Sequence, residues 1–250
     1  MTAFRPVLLA AALTLSAGGA AAGEVKILSP SAMHSSLERI AEAWSMQSGD
    51  QVKLAFETAP VMPQRLAAGE TADIIILPAA AMDKIVAMGK ASPAFRIELG
   101  RVGVGVLVRA NAPVPDISTT EALKRSVLEA DSVVYNRASS GLYVERLMDK
   151  LGIADQVRAK TLRHPDAQEQ FTYLLKGTGR DIGFGGLTEI VRWRDKGIKL
   201  VGPLPADIQN YTVYAAALST DPPNAVGARA LFTWLSGADA KAILKSSGVD

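Results

Sequence analysis

Apolar and polar positions along the chain fall into blocks that switch between two periods. "EVKIL" (24–28) alternates Val25 and Ile27 with polar neighbours, the period of a strand. Met33, Leu37, Ile40, Ala41 and Trp44 then recur at i, i+4, i+7, i+8 and i+11, one face of a helix that Gly49–Asp50 ends. "VKLAF" (52–56) predicts a second strand and "MPQRLAAG" (62–69) a short helix. "ADIIIL" (72–77) is a continuous apolar run, as in a parallel strand covered on both faces. "AAAMDKIVAMG" (79–89) predicts a third helix, closed by Gly89.

This βαβαβα order predicts an α/β fold, an open and mostly parallel sheet with helices on both faces. "RVGVGVLVR" (101–109) is a long strand placed to cross into a second lobe. "ISTTEALKRSVLEA" (117–130) carries a capping box, Ser118 with Glu121. "SVVYN" predicts a strand, "SSGLYVERLMDKLG" a helix ending at Gly152, and "DAQEQFTYLLKG" a helix capped by Asp166 with Glu169 as its partner. "DIGFGG" is a short strand and "TEIVRWRDKG" a further helix, after which "VGPLPADIQNYTVYAAAL" returns the chain to the first lobe. Helices from Asn224 and Gly237 finish it. The expected division is lobe I at 23–103 and 208–250, and lobe II at 104–207. Ligands in such sheets bind beyond the carboxyl ends of strands, at helix N-termini, so the cleft between lobes is the place to look for chemistry.

Composition narrows that chemistry. "MTAFRPVLLAAALTLSAGGAAAG" joins an early Arg5, an apolar run from Val7 to Leu15 and a small-residue cleavage site near Ala22. Residues 1–22 therefore read as a secretory signal peptide of a bacterial, periplasmic product. The run breaks at Ser16, Gly18 and Gly19, short of the roughly 20 apolar residues of a spanning helix, so no stable membrane insertion is expected after cleavage. There is no cysteine, which removes disulfides and thiolate chemistry. His34 and His164 stand apart without a ligand motif, so no metal site is expected. The net charge of +2 is scattered, which argues against a nucleic-acid partner. The glycine runs "GRVGVG" and "GTGRDIGFGG" match neither a dinucleotide nor a P-loop fingerprint, so no cofactor is expected.

Four strand-to-helix junctions are rich in small or hydroxyl residues: Ser29–Ser36, Glu57–Pro63, Asn136–Tyr143 and Arg163–Gln170. Ordinary capping explains any one of them. Four together point to unshared backbone N–H groups converging on one anion. In "NRASSGLY", Gly141 would let the backbone approach a ligand, Ser139 and Ser140 offer hydroxyls, and Arg137 offers charge. The stretch is not a nucleophile elbow and no triad histidine accompanies it, so Ser140 is not read as a nucleophile. His34 lies in the first helical turn if Ser31 caps that helix, or in the loop if Ser35 does so with Glu38. A lone histidine is more often structural than catalytic, and the same default holds for His164. Arg65 and Arg101 are possible carboxylate ligands, whereas Trp44, Trp193 and Trp234 fall on apolar stripes and read as core.

"LSPSAMHSSLERIAEAW", "QRLAAGETADIIIL", "ASSGLYVERLMDKLGI", "VGPLPADIQ" and "ARALFTWLSG" together resemble the molybdate-binding-like periplasmic substrate-binding proteins of ABC transporters, over nearly all of the chain after the leader. The resemblance implies a type II two-lobe fold, a small anionic ligand, an ABC permease as partner and a monomer. It also allows a sensor subunit that delivers its liganded form to a receptor. Its ligand positions fall on Ser31, Ala32, Met33 and His34, then on Thr58, Ala59 and Pro60. Further positions fall on Ser139, Ser140 and Gly141, with Ala167 as a backbone ligand and Gly186 where that group carries a tyrosine. Hydroxyls of the group are thus replaced at Ala32, Ala59, Pro60 and Gly186, which widens the pocket. That change favours an organic polycarboxylate over molybdate, with Arg65, Arg137 and His34 as charge partners. The pattern also resembles aconitate isomerase, which implies a cofactor-free allylic proton transfer. In that reading His34 is the first candidate base, with Glu57 and Asp166 behind it.

Overall fold

A computed structural model describes residues 23–250, and the segment read as a signal peptide, 1–22, lies outside the described residues. The first lobe begins with β1 (Glu24–Ser29), α1 (His34–Ser48), β2 (Gln51–Phe56), α2 (Met62–Ala67), β3 (Ile74–Pro78) and α3 (Ala79–Ala87). β1 pairs in parallel with β2 on one side and β3 on the other, as the βαβ rhythm requires. The apolar run of β3 has the burial its composition demands. Ile74 and Ile76 face the cluster built on Val25, Ile27, Leu37, Ile40 and Trp44. Ile75 and Leu77 face the opposite cluster, with Leu28, Met82 and Ile85. The period-2 pleat thus divides one strand between two helical layers.

β4 (Ala91–Arg109) ties the halves together. It starts ten residues earlier than the alternation at 101–109 suggests, because Ser92 and Pro93 interrupt the apolar pattern while pairing with β9 (Tyr211–Ser219) sustains an irregular strand. β4 is antiparallel to β9 up to the pair Gly103↔Tyr211. From the next residue, Val104, it pairs with β7 (Asp181–Gly186) and with β8 (Ile198–Pro203) instead. The change of partner is clamped by one side chain: Gln209 accepts from the Val104 N–H and donates to the Val104 carbonyl, each at 3.0 Å.

The second lobe holds α4 (Thr120–Glu129), β5 (Ser132–Asn136), α5 (Ser139–Lys150), α6 (Ala154–Val157), β6 (Thr161–His164), α7 (Ala167–Lys176) and α8 (Leu187–Arg192). β5 is parallel to β6 and to β7, so each sheet has a parallel wing joined to antiparallel strands at the crossing. α9 (Ala225–Leu235) and α10 (Ala238–Ser246) return to the first lobe, where Leu231, Leu235 and Leu244 complete its core. The helix stops at Gly49, Gly89 and Gly152 all have positive φ, the conformation for which glycine carries no penalty. Trp44 is buried in the first-lobe core with Trp234 half-buried against it, and Trp193 is buried in a second-lobe core with Phe171.

Three local readings are corrected. The cap of α4 is Thr119, whose hydroxyl accepts from the Ala122 N–H at 3.1 Å, while the Ser118 N–H turns to Asp116 Oδ1. Neither Ser31 nor Ser35 caps α1, because Ser31–Met33 form a 3-10 turn that feeds the helix directly. Gly141 serves the packing of α5 on its own strand: a Cβ there would stand 1.7 Å from the Asn136 carbonyl oxygen.

That last contact yields a test. Gly141→Ala drives backbone against backbone, a clash no rotamer relieves, and it should lower the unfolding free energy by roughly 2–3 kcal/mol. Urea titration checks this, and an unchanged midpoint would contradict the packing described.

Candidate functional site

Helices here follow parallel strands, so their N-termini gather where the strands end, between the lobes. Two connected cavities occupy that place. The inner one, about 20 Å³, has room for about one water and is lined by the mouths of α1 (Pro30, Ser31, Ala32) and α5 (Ala138, Ser139, Ser140), by Ala59, and by Gly186 at the end of β7. Its floor is the strand crossing, with Gly103, Val104, Thr212 and Tyr214. The outer one, about 350 Å³, is lined by His34, Phe56, Asp166, Ala167, Gln168, Arg192 and Trp193. Ser31, Glu57, Thr58 and Glu189 border both, so the two form one cleft.

The α5 mouth is held by a buried polar network. Asn136 and Gln170, both fully buried, hydrogen-bond to each other at 3.0 Å. Gln170 also donates to the Val134 and Phe184 carbonyls, and Asn136 Oδ1 accepts from the Ala138 N–H. Every polar atom placed there ties strand to helix, which fixes the mouth in a low-dielectric setting. α5 has no side-chain cap, so its first-turn N–H groups are left as donors at the cleft, while at α1 the His34 N–H is already taken by the Ser31 carbonyl. α7 differs: Asp166 accepts from the Glu169 N–H at 2.9 Å, as its sequence signature predicts.

The residues expected from sequence divide accordingly. Ser31, Ala32, Thr58, Ala59, Ser139, Ser140 and Gly186 line the inner cavity, and His34 and Ala167 line the outer one. Met33 is fully buried in the first-lobe core, and Pro60 is exposed outside both cavities. Arg65 lines neither, because its guanidinium is shared by Glu57 at 2.8 Å and Glu70 at 2.5 Å. Arg137 is exposed and also lies outside both cavities.

Two residues that the sequence pattern does not mark complete the cleft. "TEIVRWRDKG" reads only as a further helix, in which nothing singles out Glu189 or Arg192. Glu189 is 5 % exposed, and Ser31 of the facing lobe donates to its Oε1 at 2.5 Å. The neighbouring Thr188 donates to the Ala32 carbonyl at 2.6 Å, so α8 and the α1 mouth grip each other across the cleft. Burial raises the Glu189 pKa, with Asp166 adding, while the Ser31 hydroxyl, the Gly186 amide and the Arg192 charge oppose the rise. Tyr214, on the cavity floor, is likewise pushed up by burial and then by Glu189, which keeps it a neutral phenol.

His34 stacks on Phe56, ring centroids 4.2 Å apart. Its pKa is lowered by burial first and then by Arg192, against the pull of Glu38, whose Oε2 lies 3.0 Å from Nδ1. That nitrogen makes no aligned hydrogen bond, so Glu38 acts through charge. His34 is therefore neutral at neutral pH, and Arg192 supplies the positive charge of the outer cavity.

The arrangement is that of a type II periplasmic binding protein: two α/β lobes, two crossings, and helix mouths around a cleft. The chain belongs to the bacterial extracellular solute-binding proteins, whose family model matches residues 25–250. It is 31% identical over 231 residues to an aconitate isomerase from a Pseudomonas species, covering 89% of this chain and 86% of that protein. Among solved structures it is similar to the periplasmic molybdate-binding protein of Azotobacter vinelandii, with a TM-score of 0.76, 19% identity, and coverage of 90% and 98% of the two chains. It also resembles L-phospholactate-bound PEB3 of Campylobacter jejuni, with a TM-score of 0.68, 17% identity and coverage of 90% and 98%. At such identities the two structures establish the fold alone.

The buried carboxyl predicts a pH signature. A carboxyl whose pKa is higher folded than unfolded binds more protons in the folded state, so stability falls as pH rises through that interval. Glu189→Gln removes this loss. Its Tm relative to the unmodified protein should climb as pH is raised from about 4 to 8. Melting curves across that range check it, and a difference constant with pH would contradict the burial described.

Proposed function

We propose that the protein captures a small organic polycarboxylate, of the aconitate class, between its lobes, and that it does so in the periplasm after removal of residues 1–22. The observation that carries this reading is the cleft itself: an outer cavity of about 350 Å³ with Arg192 on its wall, opening inward between the uncapped mouths of α1 and α5. An extended anion can place one carboxylate at the helix mouths and another near Arg192. A tetrahedral oxyanion of five heavy atoms leaves most of that volume unfilled. It also meets Ala32, Ala59 and Gly186 in place of hydroxyl donors. The aconitate isomerase relative supports the same ligand class.

In this reading the lobes are 23–103 with 208–250 and, opposite them, 104–207. They close by a hinge at the two crossings, where Gln209 clips Val104. The grip between α8 and the α1 mouth is the closed state. A carrier of this kind hands its ligand to an ABC permease.

A second reading, conversion of the ligand, is favoured by Glu189: a buried carboxyl that borders both cavities places a proton-transfer group beside the ligand, which capture alone does not require. An isomerase needs such a group. Aconitate interconversion requires no cofactor, only one proton moved along an allylic system.

A thermal-shift panel tests the ligand. A ligand at a hundred times its Kd stabilises by about 2.7 kcal/mol, which in a chain of this size is a Tm rise of roughly 5–10 °C. Trans-aconitate or citrate should give that rise, and molybdate and sulfate should not. Stabilisation by molybdate with no response to either polycarboxylate would overturn the ligand class. Chromatography of trans-aconitate after incubation with the protein tests conversion: the cis isomer should accumulate, and its absence leaves the carrier reading alone.

A further inference from the structure

We propose that Glu189 is the catalytic residue that moves the proton in the isomerisation of an aconitate-class substrate. The proposal rests on the conversion reading above and names its base. Three carboxylates border the cleft, and two are already committed. Glu57 gives Oε2 to Arg65 at 2.8 Å and Oε1 to the Thr58 N–H at 2.7 Å. Asp166 caps α7. A carboxylate whose oxygens are occupied in this way is not free to approach a substrate carbon.

Glu189 is placed differently. It stands where the inner and outer cavities meet and borders both. Oε1 is oriented by the Ser31 hydroxyl of the opposite lobe. The carboxyl also accepts from the Gly186 amide, and Oε2 lies 3.2 Å from the point where a side chain at position 186 would begin, so glycine there keeps the approach from the inner cavity free of a side chain. Lobe closure brings Ser31 onto the carboxyl and withdraws both from water, which couples ligand capture to assembly of the base. Burial raises its proton affinity above that of an ordinary carboxylate, as removal of a carbon-bound proton demands.

The step balances without a co-reactant. The Glu189 carboxylate takes a proton from the methylene carbon beside the alkene. The C–H electron pair becomes the new double bond to the central carbon, and the old π pair moves to the far carbon. That carbon takes the proton back from the Glu189 carboxyl. One C–H bond breaks and one forms, nothing is oxidised or reduced, and the double bond returns in either geometry. Tyr214, kept neutral on the cavity floor, can donate a hydrogen bond to a substrate carboxylate as charge spreads into it.

The test uses the mature protein with trans-aconitate as probe, measuring both binding by calorimetry and formation of the cis isomer by chromatography. Glu189→Gln should still bind trans-aconitate and should lose about a thousandfold in kcat. Glu189→Asp, which keeps a carboxylate one methylene further back, should fall between the two. The kcat/KM of the unmodified protein should rise with pH through one ionisation above the ordinary carboxylate range, and that limb should vanish in the glutamine variant's residual activity. Turnover by Glu189→Gln within tenfold of the parent overturns the assignment while leaving the isomerase reading intact. A parent that binds trans-aconitate but forms no cis isomer overturns the isomerase reading, and this assignment with it. If the glutamine variant fails to fold, full activity in Glu189→Asp together with a flat pH profile overturns the assignment.

Discussion

A carboxyl group withdrawn from water at the seam between two lobes is a costly feature, and the organisation of the cleft follows from how that cost is met. Glu189 accepts a hydrogen bond from Ser31 of the facing lobe, and Thr188 beside it bonds the Ala32 carbonyl. Both bonds exist only while the lobes are together. Exposure of that carboxyl to water would favour its ionisation. The same contact separates a small inner cavity, about 20 Å³, from the larger outer one, about 350 Å³, beside Arg192.

The rest of the fold holds this seam in register. β4 carries the chain from one sheet to the other, and its partner changes between Gly103 and Val104. Gln209 clips that point through both backbone groups of Val104. On the second lobe, the Asn136–Gln170 network fixes the mouth of α5, and Gly141 lets that helix press against the Asn136 carbonyl. The helix mouth of α5 at the cleft is therefore anchored within its own lobe.

The fold was largely legible because its signals are local and repeated. The doubly buried run at Ile74–Leu77, the helix stops at Gly49, Gly89 and Gly152, and the Asp166 cap each act within a few residues. The cleft was legible where a junction sequence names its own geometry, as at Ser31 and Ser139. It was not legible where a long-range partner decides the role. Arg65 reads as a free cation until Glu57 and Glu70 close on its guanidinium. Nothing in the sequence singles out Glu189 until the fold sets it under Ser31, some 158 positions away in the chain. Gly141 reads as a point of ligand approach, whereas its neighbour in space is Asn136, the strand end five residues upstream in its own junction. Charge partners across a seam leave no trace in periodicity.

The central claim is that one organic polyanion spans the cleft from the helix mouths to Arg192. A crystal structure of the protein grown with trans-aconitate tests it most directly. The account predicts one carboxylate within hydrogen-bond distance of the Ser139 or Ser140 backbone N–H, a second on Arg192, and the substrate's reacting carbons beside Glu189 Oε2. A ligand bound outside this cleft, or a tricarboxylate in the cleft with Arg192 and the α5 mouth both untouched, would contradict it.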